Sequence, residues 1–266
     1  MPTMITSSQN SKVKLARRLV NERRMRTREG AFVIEGNRWL EEIVSGALSP
    51  LFVLATPAWL SDPANRALAE RAGGSLDAIE GGLLRDVAGT DTPPGVLAVV
   101  PIRPQPIPEN PDLLLILDAV RDPGNLGTMI RAAGAAGVNG LLLGPGTVDP
   151  YNPKVVRAGM GGHLRLPLLQ ADWKMINKLC QEMDVWLAEG EGGQLYTAVD
   201  WTRPSALIIG SESAGPGNEA RKMAAGTVTI PMKTRTESLN AAMAASIILF
   251  EAVRQRAVAE QGFAGE

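Results

Sequence analysis

The 266-residue sequence contains very few of the residues on which several common chemistries depend. It has one cysteine, Cys180, and one histidine, His163. A lone cysteine cannot form a disulfide within the chain and is typical of a reducing compartment. One histidine and one cysteine cannot assemble a multi-ligand zinc site, so we expect no metal. A Ser–His–Asp arrangement would have to use His163, for which a packing or surface role in the turn GMGGHLRLP is favoured over catalysis.

Aromatic residues, net charge and long apolar runs are also scarce. Two tyrosines and four phenylalanines disfavour an aromatic platform on which single-stranded bases would stack. A net charge of −1 and a pI near 6.0 mean that any attraction to nucleic acid must be local. No apolar run approaches the roughly 20 residues of a membrane span, and the N-terminus lacks the apolar core of a signal peptide. We therefore expect a cytoplasmic protein with no membrane partner.

The sequence does contain a regular alternation of strand and helix patterns, which one proline-rich segment interrupts. PIRPQPIPENPD, residues 101–112, holds five prolines and predicts an extended linker. We therefore predict two α/β domains, residues 1–104 and residues 105–266. Continuous apolar runs such as LLLILD predict strands that are buried on both faces of a parallel sheet. The predicted strands are 31–36, 51–56, 95–100, 113–118, 139–143, 166–169, 184–188, 205–209 and 227–230, and the predicted helices are 9–28, 36–46, 62–72, 125–137, 152–160, 171–182 and 237–256.

Positive charge is concentrated near the N-terminus, in the stretch KVKLARRLVNERRMRTR. Eight basic residues stand there against one acid, Glu22. A solvated helix face is the plain alternative, but this density on a nearly neutral protein favours contact with nucleic-acid phosphates, which is salt-sensitive and blind to sequence. The pattern does not distinguish RNA from DNA. The candidate contacts are Lys12, Lys14, Arg17, Arg18, Arg23, Arg24, Arg26 and Arg28.

A first motif, DPGNLGTMIRAAGAAGV, turns from a buried strand into a helix at residues 122–138. It contains neither the G-x-G-x-x-G fingerprint of dinucleotide sites nor a phosphate-binding P-loop, which argues against a dinucleotide-dependent oxidoreductase. Asn125 and Arg131 are nearly two helical turns apart and project to similar sides, at the carboxyl end of a strand where α/β proteins bind ligands. Taken alone, a capping asparagine and a surface arginine would explain both.

Two further glycine- or polar-rich turns follow later strands. In ALIIGSESAGPG, Glu212 lies in the turn, and Gly210 would allow a ligand close to the backbone. In VTIPMKTRTESLNAAMAASIILFEAVRQR, Ser238 and Asn240 lie in the first turn of a long helix, where capping is the plain explanation. Asn240 is predicted to lie inside that helix, where asparagine has poor propensity, which favours a functional duty. The helical period assigns to the core Leu239, Ala242, Met243, Ser246, Ile247 and Phe250.

The three motifs in this order resemble the signatures of the SpoU (TrmH) family of RNA ribose 2′-O-methyltransferases. The N-terminal part resembles the substrate-binding domain of members that act on ribosomal RNA. The resemblance implies an L30e-like α/β domain followed by an α/β catalytic domain tied in a trefoil knot. It also implies S-adenosylmethionine as cofactor and a homodimer whose active site draws on both chains. Pro216 stands where members usually have a larger apolar residue, and AGMGGHL is unusually rich in glycine.

The resemblance also implies roles for individual residues. Arg131 matches the arginine proposed to activate the 2′-hydroxyl, and the polar positions Asn125, Glu212, Ser238 and Asn240 match those that position it and the cofactor. The cofactor positions are Ile209, Gly210, Ile230, Pro231 and Leu239. An arginine stays protonated in proteins, so on physical grounds we favour a cationic Arg131 that stabilises a developing alkoxide over one that acts as a base.

The expected substrate is 23S ribosomal RNA. The alternatives are a tRNA 2′-O-methyltransferase, because relatives that act on tRNA also carry basic extensions, and a non-catalytic RNA-binding or ribosome assembly factor. The last would be expected to have lost Arg131 or the Ile230–Leu239 pocket, and all three residues are present.

Overall fold

The computed structural model describes residues 4–46, 48–90, 92–190, 192–212, 214–233 and 239–263. The chain packs as two compact units. One comprises Met1–Arg103 with Tyr151–Arg165, and the other comprises Pro104–Pro150 with Leu166–Glu266. Residues 151–165 lie beyond the linker in sequence, yet they pack in the first unit. The division into independently folding domains at residues 104 and 105 stays a prediction.

The first unit is built on a five-stranded mixed sheet with helices on both faces. The strand order is β1-β4-β3-β5-β2, in which β5 runs antiparallel to both its neighbours. Its strands are β1 (Met4–Ile5), β2 (Ala31–Glu35), β3 (Phe52–Ala55), β4 (Ser75–Ile79) and β5 (Val96–Pro101). Its helices are α1 (Ser11–Asn21), α2 (Arg23–Glu29), α3 (Asn37–Ser45), α4 (Pro57–Leu60), α5 (Pro63–Ala72) and α6 (Gly81–Ala88). Alternate residues of β2 enter two separate cores, Phe32 and Ile34 on the side of α3 and α5, and Ala31 and Val33 on the side of α1 and α6.

The predicted single helix over 9–28 is in fact two helices, and a buried arginine explains the break. Glu22 has an extended backbone (φ −119°, ψ 111°), which ends α1 and starts α2. Arg26 is only 4% exposed, and its Nη1 donates to the carbonyl oxygens of Leu19 (2.5 Å) and Val20 (3.2 Å). The guanidinium thereby satisfies carbonyls that the end of α1 leaves without helical partners.

Residues 151–165 form α8 (Pro153–Gly159) and a 3₁₀ turn (Gly162–Leu164) that complete the first unit. Arg157 pairs with Glu35 at 3.0 Å, and Arg165 pairs with Glu42 at 2.7 Å. His163 is 6% exposed, which confirms the packing role. Its ring centroid lies 5.8–6.2 Å from those of Phe32, Trp39 and Tyr151.

The second unit is a seven-stranded parallel sheet in the order β10-β12-β9-β11-β6-β7-β8. Its strands are β6 (Leu113–Leu117), β7 (Gly140–Leu143), β8 (Leu168–Gln170), β9 (Asp184–Ala188), β10 (Gln194–Leu195), β11 (Ser205–Ile209) and β12 (Gly226–Thr229). Its helices are α7 (Pro123–Ala135), α9 (Trp173–Leu179), α10 (Asn218–Met223) and α11 (Ala241–Phe263). Every residue of β6 and β11 is buried, which confirms the prediction of strands covered on both faces.

Helix α11 begins at Ala241, directly after Asn240, whereas the predicted helix over 237–256 includes Asn240. Asn240 is the N-cap, because its Oδ1 accepts from the backbone N–H of Ala242 (2.9 Å) and Met243 (3.2 Å). The prediction that Asn240 lies inside the helix was therefore wrong, as was the assignment of Met243 and Phe250 to the core: they are 55% and 48% exposed. The helix buries Ala242, as predicted, together with Ala245, Ile248, Leu249 and Ala252. Among the described residues, no helix is both long enough and apolar enough to span a membrane.

Candidate active site

A cavity of about 730 Å³ opens at the carboxyl ends of four neighbouring strands, β12, β9, β11 and β6. Parallel strands bring their carboxyl ends to one edge of the sheet, which is why residues distant in sequence meet there. The lining combines an apolar wall with polar groups. The described residues that line it are Asp122, Asn125, Ala188, Glu189, Gly190, Ile209, Gly210, Ser211, Glu212, Gly215, Pro216, Arg221, Val228, Ile230, Met232, Leu239, Asn240, Ala241, Ala244 and Ile248.

Three of the predicted polar residues form one chain of hydrogen bonds along this cavity. Asn125 Nδ2 donates to Glu212 Oε1 at 2.8 Å, and Asn240 Nδ2 donates to Asn125 Oδ1 at 2.8 Å. Each residue comes from a different one of the three motifs. The three sequence motifs therefore converge on a single polar array.

Local turns fix both ends of the Asn125–Glu212 contact. Asp122 caps α7 by accepting from the Asn125 backbone N–H at 2.7 Å, and Pro123 occupies the first helical position, where its missing N–H costs nothing. Glu212 Oε2 accepts from the backbone N–H of Arg121 at 3.4 Å. The carboxylate thus holds the turn after β6 as well as the Asn125 side chain.

Gly210 is needed because the loop after β11 folds back over it. A Cβ atom at Gly210 would lie 2.7 Å from the backbone carbonyl carbon of Gly215, closer than any normal contact. The same loop closes through a bond from Gly215 N to Ser211 O (2.9 Å). The glycine therefore admits the chain's own backbone, whereas the sequence interpretation assigned that space to a ligand.

The apolar wall contains three of the five predicted cofactor positions. Ile209, Ile230 and Leu239 line the cavity together with Ala244 and Ile248. Gly210 also lines it, whereas Pro231 does not belong to the described lining. Ser238 lies outside the described residues.

The structure does not place Arg131 on the cavity wall. It lies on α7, two turns beyond Asn125, and its side chain is exposed. The joint role of Arg131 and Asn125 therefore stays a prediction.

The basic side chains predicted to contact nucleic acid differ in their exposure and in their ion pairs. Lys14, Arg18, Arg23, Arg24 and Arg28 are exposed on α1 and α2, and Arg17 is partly exposed. Arg18 pairs with Glu22 and Arg28 with Glu29, and Lys12 forms an ion pair with Asp77. The prediction that Arg26 contacts nucleic acid was wrong, because its buried guanidinium is bound to backbone carbonyls and cannot reach a phosphate.

Sequence reasoning missed two acidic residues that shape the site. Asp118 is 6% exposed at the end of β6, and its Oδ2 accepts from the Gly217 backbone N–H at 2.6 Å, which anchors the loop after β11. Glu189 follows β9, lines the cavity and pairs with Arg221 at 2.5 Å. An acid directly after a buried strand was the available signal for both. No group of three or more His, Cys, Asp or Glu side chains suited to a metal ion occurs among the described residues.

Comparison with known proteins places this chain among RNA-modifying enzymes. Residues 112–250 match the model of the SpoU rRNA Methylase family, and residues 10–98 match the MRM3-like substrate binding domain. The chain is 31% identical over 250 residues to the 23S rRNA (guanosine(2553)-2′-O)-methyltransferase of Bacillus subtilis, covering 92% of this chain and 97% of that one. It is 33% identical over 263 residues to the 23S rRNA (uridine(2479)-2′-O)-methyltransferase of Streptomyces viridochromogenes, covering 94% and 92%.

A solved structure extends the similarity to the fold. The AdoMet-bound rRNA methyltransferase from Sinorhizobium meliloti superposes with a TM-score of 0.83 at 29% identity and covers 95% of this chain and 97% of that one.

Proposed function

Because the chain belongs to the SpoU family of rRNA methylases, we propose that it transfers a methyl group from S-adenosylmethionine to a ribose 2′-hydroxyl of 23S ribosomal RNA. The observation that carries this proposal is the hydrogen-bonded chain Glu212–Asn125–Asn240, which joins all three sequence motifs at one cavity. The two bacterial relatives named above act on 23S rRNA by name, which favours that substrate over tRNA.

The residues of the cavity fit S-adenosylmethionine. Its volume is in the range of small-molecule sites, and its lining is apolar with a few convergent polar groups. Ile209, Ile230 and Leu239 offer an apolar wall for the adenine. Asp122 and Glu212 are acidic groups that suit a cationic sulfonium. When bound, the cofactor supplies an electrophilic methyl group without the need for a metal.

The polar chain prepares the site for the ribose hydroxyl. Asn125 uses its Nδ2 on Glu212 and its Oδ1 on Asn240, so the amide has one orientation. Fixed dipoles of this kind stabilise charge that develops in a reaction without reorganising. Positioning of the reacting groups contributes up to about 7–11 kcal/mol in well-aligned systems.

Arg131 acts, in this proposal, as a cation that stabilises the negative charge developing on the 2′-oxygen: the O–CH₃ bond forms as the bond from the methyl carbon to sulfur breaks, and the hydroxyl proton passes to water. A transient base role is the second possibility, in which an RNA phosphate assists loss of the proton. Replacement with lysine tests the need for a guanidinium: full activity of R131K would exclude it. Because the side chain is exposed on α7, we propose that it meets the substrate in the RNA-bound dimer.

The finer features of the family complete the proposal: a trefoil knot in the catalytic unit, an L30e-like first unit, a homodimer and a cytoplasmic location. The exposed Met243 and Phe250 on α11 support a dimer interface, because large apolar side chains on one helix face favour burial. The exposed cations of α1 and α2 support contact of the first unit with RNA phosphates.

The decisive experiment supplies methyl-labelled S-adenosylmethionine together with unmodified 23S rRNA and tRNA transcripts. A blocked 2′-hydroxyl makes the adjacent linkage resistant to alkali, so label is expected in alkali-resistant dinucleotides from rRNA. Label in such dinucleotides only from tRNA would keep the reaction and overturn the substrate. Cofactor binding without label in naked or ribosome-assembled RNA would favour the non-catalytic RNA-binding alternative. Absence of cofactor binding would refute the proposed enzyme.

A further inference from the structure

We propose that Glu189, held by Arg221, accepts hydrogen bonds from the 2′,3′-diol of the cofactor's ribose. This inference rests on the proposed function, because it assigns a subsite within the same cavity. Neither residue belongs to the three sequence motifs. Both line the cavity: Glu189 directly follows β9, and Arg221 lies on α10.

Strand order places Glu189 at a defined distance from the polar chain. Glu189 directly follows β9 and is paired to β12 through a bond from its backbone N–H to Val228 O at 3.0 Å. β11 separates β9 from β6, whose following helix carries Asn125. Adjacent strands are about 4.8 Å apart, so two spacings separate these ends by roughly 10 Å. The end of β11 therefore lies between Glu189 and Asn125; its last residue, Ile209, lines the cavity, and the turn that follows carries Glu212.

The charges at the two ends decide which part of the cofactor fits each. At the Asn125 end, the ionisable residues of the described lining are Asp122 and Glu212, both acidic, which suits the cationic sulfonium. At the other end, Arg221 balances the charge of Glu189 at 2.5 Å. A balanced carboxylate suits a neutral hydrogen-bond donor, because no net charge attracts an ammonium there.

The chemistry of the carboxylate matches a vicinal diol. An ionised glutamate has two oxygens with about four acceptor sites, so one ion pair leaves room for two hydroxyl donors. An acidic residue after a strand serves the ribose of dinucleotides in the same way in other α/β folds. In the cofactor the sulfonium is attached at C5′, away from the diol at C2′ and C3′, so a sulfonium near Glu212 directs the diol away from it. Glu189 follows the neighbouring strand, β9, and its side chain is 22% exposed, so a ligand can reach it.

Arg221 is a positioning residue in this arrangement. Its side chain is 49% exposed on α10, and exposed ion pairs of this kind contribute only about 0–1 kcal/mol to stability. Replacement of either partner should therefore leave the fold intact, which thermal unfolding checks.

The test measures binding by calorimetry with S-adenosylhomocysteine, its 2′,3′-dideoxy analogue and 5′-methylthioadenosine, which lacks the amino-acid group. E189Q should weaken S-adenosylhomocysteine and 5′-methylthioadenosine about 10-fold each, because the charged acceptor becomes neutral and one of its two acceptor oxygens is replaced by a donor. It should not weaken the dideoxy analogue. R221Q should produce a smaller decrease with the same pattern, and the exposed Glu182 provides a matched control in E182Q, which should bind all three ligands like the native chain.

Two results would overturn the assignment. Equal weakening of the dideoxy analogue would mean that Glu189 does not contact the diol. Weakening that disappears with 5′-methylthioadenosine would assign Glu189 to the amino-acid group. If the native chain bound none of the ligands, the proposed function itself would fail, which is a different outcome from either of these.

Discussion

Asn240, the residue that caps the final helix, donates a hydrogen bond to Asn125, the third residue of α7, with 2.8 Å between Nδ2 and Oδ1. The Oδ1 of Asn240 is already used by the backbone N–H groups of Ala242 and Met243. The capping role therefore turns the amide nitrogen toward Asn125. Capping and a functional duty, which sequence reasoning treated as alternatives for Asn240, are therefore compatible, because the cap uses Oδ1 and leaves Nδ2 for Asn125.

We predict that N240D separates these two roles. Aspartate caps helices as well as asparagine does, so the melting temperature should stay close to that of the native chain. The Nδ2 donor is removed and a carboxylate oxygen faces Asn125 Oδ1, so the rate of methyl transfer should fall about 100-fold, as for loss of one fixed dipole. Single-turnover methylation and thermal unfolding measure the two effects. The matched control is N152D at the cap of α8, where Asn152 accepts from the Lys154 backbone N–H and methylation should be unchanged. An N240D enzyme with native activity would refute the role of this donor.

A second prediction concerns Gly210 and the loop after β11. G210A places a Cβ atom 2.7 Å from the backbone carbonyl carbon of Gly215. This atom cannot move without its neighbours in the chain, so the loop that carries Pro216 must shift. We expect cofactor affinity to fall at least about 10-fold, measured by calorimetry, and the fold to be destabilised by about 1–3 kcal/mol from overpacking. G82A in α6 is the control, because its Cβ would approach nothing closer than 3.9 Å and should be neutral or stabilising. Native cofactor binding by G210A would contradict this account.

Much of the fold could be predicted from apolar patterning, and the reasons for the misses are physical. The nine predicted strands are all present to within about two residues because continuous apolar runs mark buried strands. The short edge strands β1 and β10, the partly buried β4 and the helices α4, α6 and α10 were not predicted; the three helices have at most eight residues, too few to establish a helical period. The break at Glu22 was invisible because it depends on Arg26, whose buried hydrogen bonds arise only after folding.

The candidate site was predictable in its polar chain and less so elsewhere. Asn125, Glu212 and Asn240 could be found because each lies in a motif whose order is characteristic. Asp118 and Glu189 act through Gly217, at the start of α10, and Arg221, on α10, and contacts between segments so distant in sequence arise only in the fold. The membership of residues 151–165 in the first unit likewise depends on packing between segments that are distant in sequence.

The basic stretch provides a third prediction, about salt dependence. R23A and R24A remove exposed cations, so RNA affinity should fall and the slope of log K against log salt should decrease by about 0.7–0.9 for each phosphate that is no longer neutralised. R71A on α5 is the control, because α5 packs on the opposite face of the first sheet and its replacement should leave the slope unchanged. R26A should behave differently and destabilise the fold by about 1–3 kcal/mol, since carbonyls of α1 lose their partner. Equal slopes for R23A, R24A and R71A would refute the assigned RNA surface.

The last prediction concerns pH and the Glu35–Arg157 pair of the first unit. The Glu35 side chain is only 8% exposed, and this burial raises the pKa of its carboxyl above the ordinary 4.5, an effect that Arg157 at 3.0 Å offsets only in part. Just above pH 4.5 the folded protein therefore retains a proton that the unfolded chain has released, so its stability falls as pH rises through the folded pKa. In thermal unfolding between about pH 4 and 7, the stability of the native chain should fall relative to that of E35Q, which cannot ionise, as pH rises. E41Q alters an exposed glutamate on α3 and should keep the native profile. If the stabilities of E35Q and the native chain changed in parallel with pH, the pH dependence would have to arise from other groups. Glu35 would then be ionised as readily in the folded protein as in the unfolded chain.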